Sequence, residues 1–167
     1  YRSVGINPHT ATLAELSAAA AHHCGGAWAN ENRSTLLDLL FSQVVEAGLP
    51  QGLVFVYDYP ACQAALARLG KSETGETIAR RFELFINGME LGNGYFELTD
   101  PVEQKSRFQA DIALRAAAHK KPMALDHQLL AAMASGLPDC AGVAIGVDRL
   151  LMQILGKDQI TDVVPFG

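Results

Sequence analysis

One stretch of twenty residues, 81–100, carries most of the side chains in this sequence that could do chemistry. It reads RFELFINGMELGNGYFELTD and places Glu83, Glu90 and Glu97 among aromatic and aliphatic residues. Carboxylates bind Mg²⁺ and pair with ammonium groups. The three glutamates therefore form either the solvated outer face of a sheet or a binding site.

The same stretch has the pattern of a β-hairpin. Asn87-Gly88 lies between two β-rich runs, and a type I′ turn needs two residues of positive φ at this position. A two-residue loop then pairs Glu83 with Gly92 and puts Glu83 and Glu90 on one face, with Cβ atoms about 7 Å apart. Two carboxylates at that spacing can share a divalent cation.

The second strand of the hairpin carries further polar residues. Three of them alternate with one another: Asn93, Tyr95 and Glu97. They are out of phase with Glu90 in a regular strand. We expect a β-bulge at Gly92 or Gly94 to bring all of them onto the face of Glu83 and Glu90.

A second segment of interest, AGVAIGVDRLLMQILG, spans residues 141–156. Its apolar pattern predicts a buried strand that runs directly into a helix, with small residues at Gly142 and Ala144. Glycine weakens a strand unless something must approach its backbone closely. Arg149, at the start of the helix, has the fork geometry that binds a phosphate. The alternative is tight strand packing, with Arg149 paired to a neighbouring acid.

Composition excludes several classes of function. The chain has 167 residues, about half of them apolar, and a net charge of −5. It has no Lys/Arg-rich run, which argues against autonomous nucleic-acid binding. No apolar run reaches the roughly 18 residues that span a bilayer, so we expect no membrane partner. The three cysteines are widely spaced, which favours a reducing, cytoplasmic location.

The remaining patterns predict an α+β layout in a single domain. Thr12 begins one helix, and Asn32 or Ser34 begins a second that ends near Gly48. Residues 1–50 are thus a helical segment, and 51–167 an antiparallel sheet with inserted helices. Residues 53–60 form a buried strand, and 70–77 the most mobile loop. An Asp100-Pro101 start predicts a long helix.

The hairpin segment and the segment at 141–156 both resemble a known family. GVAIGVDRLLM resembles motif 3 of class II aminoacyl-tRNA synthetases, and RFELFINGMELGNGYFEL resembles the preceding strands of the lysyl branch. The resemblance covers about residues 50–167 and implies the C-terminal part of a class II catalytic domain, an antiparallel sheet flanked by helices. Nothing in the chain matches motif 1, which builds the dimer interface, or motif 2, which grips the α-phosphate. We therefore expect a partial domain, inactive alone, from a homodimeric parent.

Within the lysyl branch the sequence departs from the typical tRNA-charging enzymes. Those enzymes carry glycine where this chain has Ala144, and a Pro-Pro-Thr-like stretch where it has Pro138-Asp139-Cys140. VYDYPACQAALA and GLPDCAGVAIGVDRL resemble instead a paralogue that modifies elongation factor P. That paralogue transfers (R)-β-lysine from its adenylate to a lysine of the factor. A tRNA partner would apply only to a true lysyl-tRNA synthetase, and a non-catalytic regulator is the third reading.

The resemblance also implies roles for individual residues. Glu83 and Glu90 would hold Mg²⁺ and ATP, and Arg149 would contact the phosphates of the nucleotide. The amino-acid pocket for lysine or (R)-β-lysine would be lined by Asn93, Tyr95, Glu97, Gly142 and Ala144. One methyl group, as at Ala144, changes selectivity by about 1 to 3 kcal/mol, or 10- to 200-fold. A degenerate regulator would be expected to lose Glu83, Glu90 or Arg149.

Overall fold

The computed structural model describes residues 1–165, apart from the side chain of Arg2. The N-terminal part is helical. Helix α1, Leu13–Cys24, begins with a capping box in which Thr12 N donates to Glu15 Oε2 at 2.6 Å. Helix α2, Arg33–Leu40, is capped by Asn32 and continues through a π turn, Phe41–Val45, and a 3₁₀ turn, Glu46–Gly48. The predicted second helix is therefore present but irregular beyond Leu40.

In the part of the chain that the structure describes, five strands form one antiparallel sheet. They are β1 (Leu53–Pro60), β2 (Leu69–Lys71), β3 (Thr77–Ile86), β4 (Met89–Phe96) and β5 (Ala141–Ile145). The order across the sheet is β1-β3-β4-β5, and β2 also pairs with β3. The predicted loop at 70–77 is partly wrong, because Leu69–Lys71 pairs with β3 and leaves only a short turn.

The β3–β4 hairpin has the predicted turn but a different register. Asn87 and Gly88 have φ values of 51° and 79°, as a type I′ turn requires. Glu83 lies opposite Asn93 and not opposite Gly92. The reason is a β-bulge in β4, between Glu90, which pairs with Phe85, and Gly92, which pairs with Leu84. The extra residue is Leu91.

The bulge lies at Leu91 for a non-local reason. The Leu91 side chain is buried, and its carbonyl accepts from Gly146 N at 2.7 Å. The glycines predicted to bulge serve another purpose. A Cβ at Gly92 would overlap the Ala144 carbonyl, and one at Gly94 would come within 2.8 Å of Gly142 O. Both glycines allow β5 to approach closely.

The two faces of the sheet differ in burial. One face meets the helical part, where the Phe41 ring lies 6.0 Å from the Phe85 ring. On the other face β1 exposes Phe55 and Tyr57, and β5 exposes Val143 at 58%. The prediction of buried strands is therefore wrong for the outward residues of β1 and wrong for β5 on both faces, because Ala144 is exposed as well. The apolar pattern indicates that these residues need another layer to pack against. It does not indicate that this chain supplies that layer.

Three further α-helices follow the first two in the described residues 1–165. They are α3 (Pro101–Ala117), capped by Asp100, α4 (His127–Ala134) and α5 (Val147–Leu155). Helix α5 follows β5 directly and ends at Gly156, whose φ of 62° is the left-handed cap conformation. Across residues 1–165 no helix has the length and apolarity needed to cross a bilayer.

Candidate functional site

One face of the sheet gathers the residues predicted to bind substrate and metal. Glu83 lies opposite Asn93, and Asn93 lies opposite Ala144. Opposed residues of antiparallel strands project from the same face, and the bulge at Leu91 brings Glu90 into phase with them. Pairing and alternation then give the shared face the following members: Glu83, Glu90, Asn93, Tyr95, Glu97, Gly142 and Ala144.

Gly142 and Glu97 are in direct contact at one end of this face. A Cβ added at Gly142 would overlap Glu97 Oε1. The carboxylate therefore lies against the bare backbone of β5, with Tyr95 opposite Gly142 on the neighbouring strand. This end combines a carboxylate with an aromatic ring and suits a substrate ammonium on an apolar stem.

Arg149 stands at the other end, beside Glu90. Its Nη1 donates to the Glu90 carbonyl at 2.8 Å and lies 3.9 Å from Glu90 Oε2. The side chain is about half exposed. It lines a cavity of about 390 Å³ together with Ala144 and Asn93. Because the guanidinium is accessible in this cavity, it can bind a phosphate without a large rearrangement.

Arg81 is a site residue that the sequence analysis missed. It pairs with Glu83, and its guanidinium lies 4.4 Å from the Tyr59 ring centroid and 5.9 Å from that of Tyr95. It also donates to Gln63 O at 3.0 Å. The signal that could have found it is simple, because Arg81 alternates with Glu83 on β3 and so shares its face.

A second cavity, of about 470 Å³, lies between residues 33–48 and the sheet. Its lining includes Asp38 and Glu46 from the helical part, and Glu83 and Glu90 from the hairpin. Partial burial raises the pKa of Asp38, and the hydrogen bond from Gln63 opposes this shift. Burial first, and then the charges of Glu83 and Glu90, raise the pKa of Glu46. Negative charge is therefore concentrated next to Glu83 and Glu90.

The donor set fits Mg²⁺ held jointly with a nucleotide. Among residues 1–165 no three His, Cys, Asp or Glu side chains converge to hold a metal by themselves. Mg²⁺ typically uses one or two carboxylates and completes its octahedron with waters and substrate phosphates. Glu83 and Glu90 can supply the protein ligands. Each is at present next to an arginine, Arg81 or Arg149, whose contact a metal ion would have to replace.

Comparison with known proteins points to one family. Residues 43–167 match the family described as tRNA synthetases class II (D, K and N). Over 98% of the chain, the sequence is 43% identical to an elongation factor P–(R)-β-lysine ligase of Haemophilus ducreyi and 45% identical to one of Vibrio parahaemolyticus. A ligase of the same name from Mannheimia succiniciproducens is 46% identical over 98% of the chain.

These similarities involve only part of each relative. The chain spans about half the length of the curated relatives it matches, 50% for the Haemophilus protein and 51% for the Vibrio protein.

Proposed function

The chain belongs to the class II tRNA synthetase family (D, K and N), and from this premise we propose that it forms the C-terminal catalytic part of a ligase that modifies elongation factor P. The enzyme activates lysine or (R)-β-lysine with ATP and transfers it to a lysine of the factor. One observation carries the proposal: a single face holds Glu83, Glu90 and Arg149 at one end and Glu97 at the other.

The proposed first step forms an aminoacyl-adenylate. A carboxylate oxygen of the amino acid attacks the α-phosphorus, the bond to the β-phosphate breaks, and pyrophosphate leaves. Arg149 binds phosphate oxygens, and Glu83 and Glu90 hold Mg²⁺, which supplies charge neutralisation on the phosphates. Glu97 pairs with a substrate ammonium, so that binding at both ends of the face fixes the reacting carboxylate between them.

The second proposed step transfers the acyl group. The neutral amine of a lysine on elongation factor P attacks the acyl carbon, and an amide bond forms as the mixed-anhydride bond between that carbon and the phosphate oxygen breaks. AMP leaves with the electrons of the broken bond, and the nitrogen loses one proton to solvent. This step needs positioning and charge stabilisation and no protein nucleophile. The names of the relatives support elongation factor P as the acceptor.

Ala144 is the proposed selectivity residue. It lies opposite Asn93 on the site face, and we propose that its methyl group contacts the substrate stem. A displaced amino group, as in (R)-β-lysine, changes which stem atoms meet that methyl group, and one methyl shifts selectivity by about 1 to 3 kcal/mol. We further propose a cytoplasmic homodimer for the full-length enzyme.

A true lysyl-tRNA synthetase is the second candidate, because the matched family includes the tRNA-charging K enzymes. An acceptor competition separates the two. The protein at the full length of its relatives is given ATP, Mg²⁺ and labelled (R)-β-lysine or lysine, together with equal amounts of elongation factor P and lysine tRNA.

Label on the protein factor supports the ligase, and label on the tRNA supports the synthetase. The Glu97→Gln variant is the control and should lose either activity through the KM for the amino acid. Labelling of neither acceptor, with no ATP–pyrophosphate exchange, would overturn the proposal and favour a non-catalytic regulator.

A further inference from the structure

A third cavity, of about 390 Å³, lies between helix α3 and residues 61–69. It shares no lining residue with the site face or with the two cavities described above. One wall is the segment that connects β1 to β2. The other is a single face of α3, because Gln104, Phe108, Asp111 and Leu114 recur at intervals of three or four residues. We call it the α3 cavity.

Gln104 is the buried polar residue of the α3 cavity. It is 2% exposed, and its Nε2 donates to no acceptor among residues 1–165. A buried donor without an acceptor is costly, because it has lost its hydration and gained no hydrogen bond in return. In the described chain no other lining residue of this cavity has a buried side-chain nitrogen or oxygen without a partner. The unsatisfied amide therefore indicates a ligand that supplies one acceptor.

The charged residues of the lining disfavour an ionised ligand. Arg107 Nη1 donates to two backbone carbonyls, at 3.0 and 2.7 Å, and its guanidinium also pairs with Glu103. These contacts leave the guanidinium little capacity to bind an anion. The other charged lining residue, Asp111, repels anions. An ammonium group next to Gln104 Nε2 would place two donors against each other. A neutral acceptor, such as a carbonyl oxygen, avoids each of these conflicts.

The remaining lining is apolar and includes Leu66, Leu69, Phe108 and Leu114. Small-molecule sites are typically clefts of about 300 to 1,000 Å³ with mostly apolar walls and a few placed polar groups. The α3 cavity has this size and composition. A polypeptide segment fits less well, because each of its residues brings a backbone donor and acceptor that need partners, whereas the cavity offers one buried donor.

We propose that the α3 cavity binds a neutral, apolar small molecule whose carbonyl oxygen accepts a hydrogen bond from Gln104 Nε2. The apolar body of the ligand packs between Phe108 on α3 and Leu66 and Leu69 on the opposite wall. The site is separate from the proposed lysine pocket at Glu97, and its binding requires neither ATP nor an amino acid.

The test is a ligand-observed NMR titration of the full-length protein with two probes of the same shape. Acetophenone carries a carbonyl oxygen, and α-methylstyrene has a CH₂ group in its place. Gln104→Met removes the donor and keeps an unbranched side chain of similar length. Ala110→Phe places a ring at an exposed lining position, and Ala116→Phe is its control on the same helix outside the lining.

Cys62 gives a second readout of where the probe binds. It lines the α3 cavity and is exposed, whereas Cys140 lines none of the three cavities. Alkylation of both thiols by iodoacetamide is followed by peptide mass spectrometry, with and without acetophenone. A probe in the α3 cavity slows the alkylation of Cys62 and leaves that of Cys140 unchanged.

We expect acetophenone to bind about tenfold more tightly than α-methylstyrene, because only acetophenone satisfies the buried donor. In Gln104→Met the two probes should bind within about threefold of each other. Ala110→Phe should raise the Kd for acetophenone about tenfold or more, and Ala116→Phe should leave it within about twofold.

Absence of acetophenone binding would overturn the proposal. So would equal binding of the two probes by the wild type, which would show that Gln104 donates to neither, or binding that leaves the alkylation of Cys62 unchanged. Equal losses in Ala110→Phe and Ala116→Phe would also contradict it. Thermal unfolding of each variant verifies that it is folded. The acceptor competition uses different ligands and variants, so the failure of one proposal does not imply the failure of the other.

Discussion

The guanidinium of Arg81 connects Glu83, at the metal end of the site face, with Tyr95, at the amino-acid end. It pairs with the Glu83 carboxylate while lying 5.9 Å from the Tyr95 ring centroid and 4.4 Å from that of Tyr59. The side chains of Arg81 and Glu83 are only 19% and 12% exposed. Their positions are therefore coupled to the packing of the sheet.

The first prediction concerns this ion pair. Arg81→Met should destabilise the chain by about 3 kcal/mol, because it leaves Glu83 unpaired in a partly buried position. Adding Glu83→Gln to that variant should recover at least about 1 kcal/mol, because it removes the unpaired charge. Urea denaturation of the 167-residue chain measures both values.

The exposed pair Arg68–Asp139 provides the control. Asp139 is 70% exposed, so Asp139→Asn should cost less than about 1 kcal/mol. Strictly additive costs for the two substitutions at Arg81 and Glu83 would show that their pairing does not stabilise the fold.

The second prediction concerns the contact between Gly142 and Glu97. Gly142→Ala should displace the Glu97 carboxylate, because the new Cβ would overlap Oε1. In the full-length enzyme we expect the KM for the amino acid to rise about tenfold or more, which corresponds to the loss of about 1.4 kcal/mol of ammonium binding. The KM for ATP should change little, because Arg149 is at the other end of the face.

Gly146→Ala is the matched control, since a Cβ there would meet no atom closer than 3.5 Å. Equal effects of the two alanine substitutions on the KM for the amino acid would contradict the assigned role of Glu97.

The third prediction concerns pH. Partial burial raises the pKa of Asp38 above its ordinary value of 3.8, so the folded chain holds this proton more tightly than the unfolded chain. The contribution of Asp38 to stability therefore falls as pH rises from about 3.8 through the raised pKa. Asp38→Asn, whose amide oxygen can still accept from Gln63, should raise Tm by about 1 to 2 °C at neutral pH.

Calorimetric scans at about pH 7 and about pH 4 test this sign, since the advantage of Asp38→Asn should shrink as wild-type Asp38 becomes protonated. A variant that is less stable than the wild type at neutral pH would show that the Asp38 charge stabilises the fold.

Local chemistry explains what the sequence predicted well. The helix starts at Thr12 and Asp100 and the Asn87-Gly88 turn depend on neighbouring residues, and the structure confirms all three. The sequence left Asn32 and Ser34 as alternative caps of the second helix, and the structure has Asn32. The expectation that a bulge would bring Glu90 and Asn93 onto one face was confirmed, although the bulge lies at Leu91.

The features that were missed depend on distant parts of the chain. The bulge position follows from the hydrogen bond between Leu91 and Gly146, which are 55 residues apart in the numbering. The acidic cavity exists because Phe41 packs near Phe85 and brings Glu46 over the hairpin. The residue pattern within the helical part or within the hairpin does not indicate a contact between the two. The cavity could therefore be found only in the structure.

The most direct test of the account is amino-acid-dependent ATP–pyrophosphate exchange by the full-length protein. It compares (R)-β-lysine with α-lysine, in the wild type and in Ala144→Gly. We predict that the wild type prefers (R)-β-lysine by about tenfold or more in kcat/KM and that the preference collapses in Ala144→Gly. An equal preference for α-lysine in both proteins would contradict the assignment as an elongation factor P ligase.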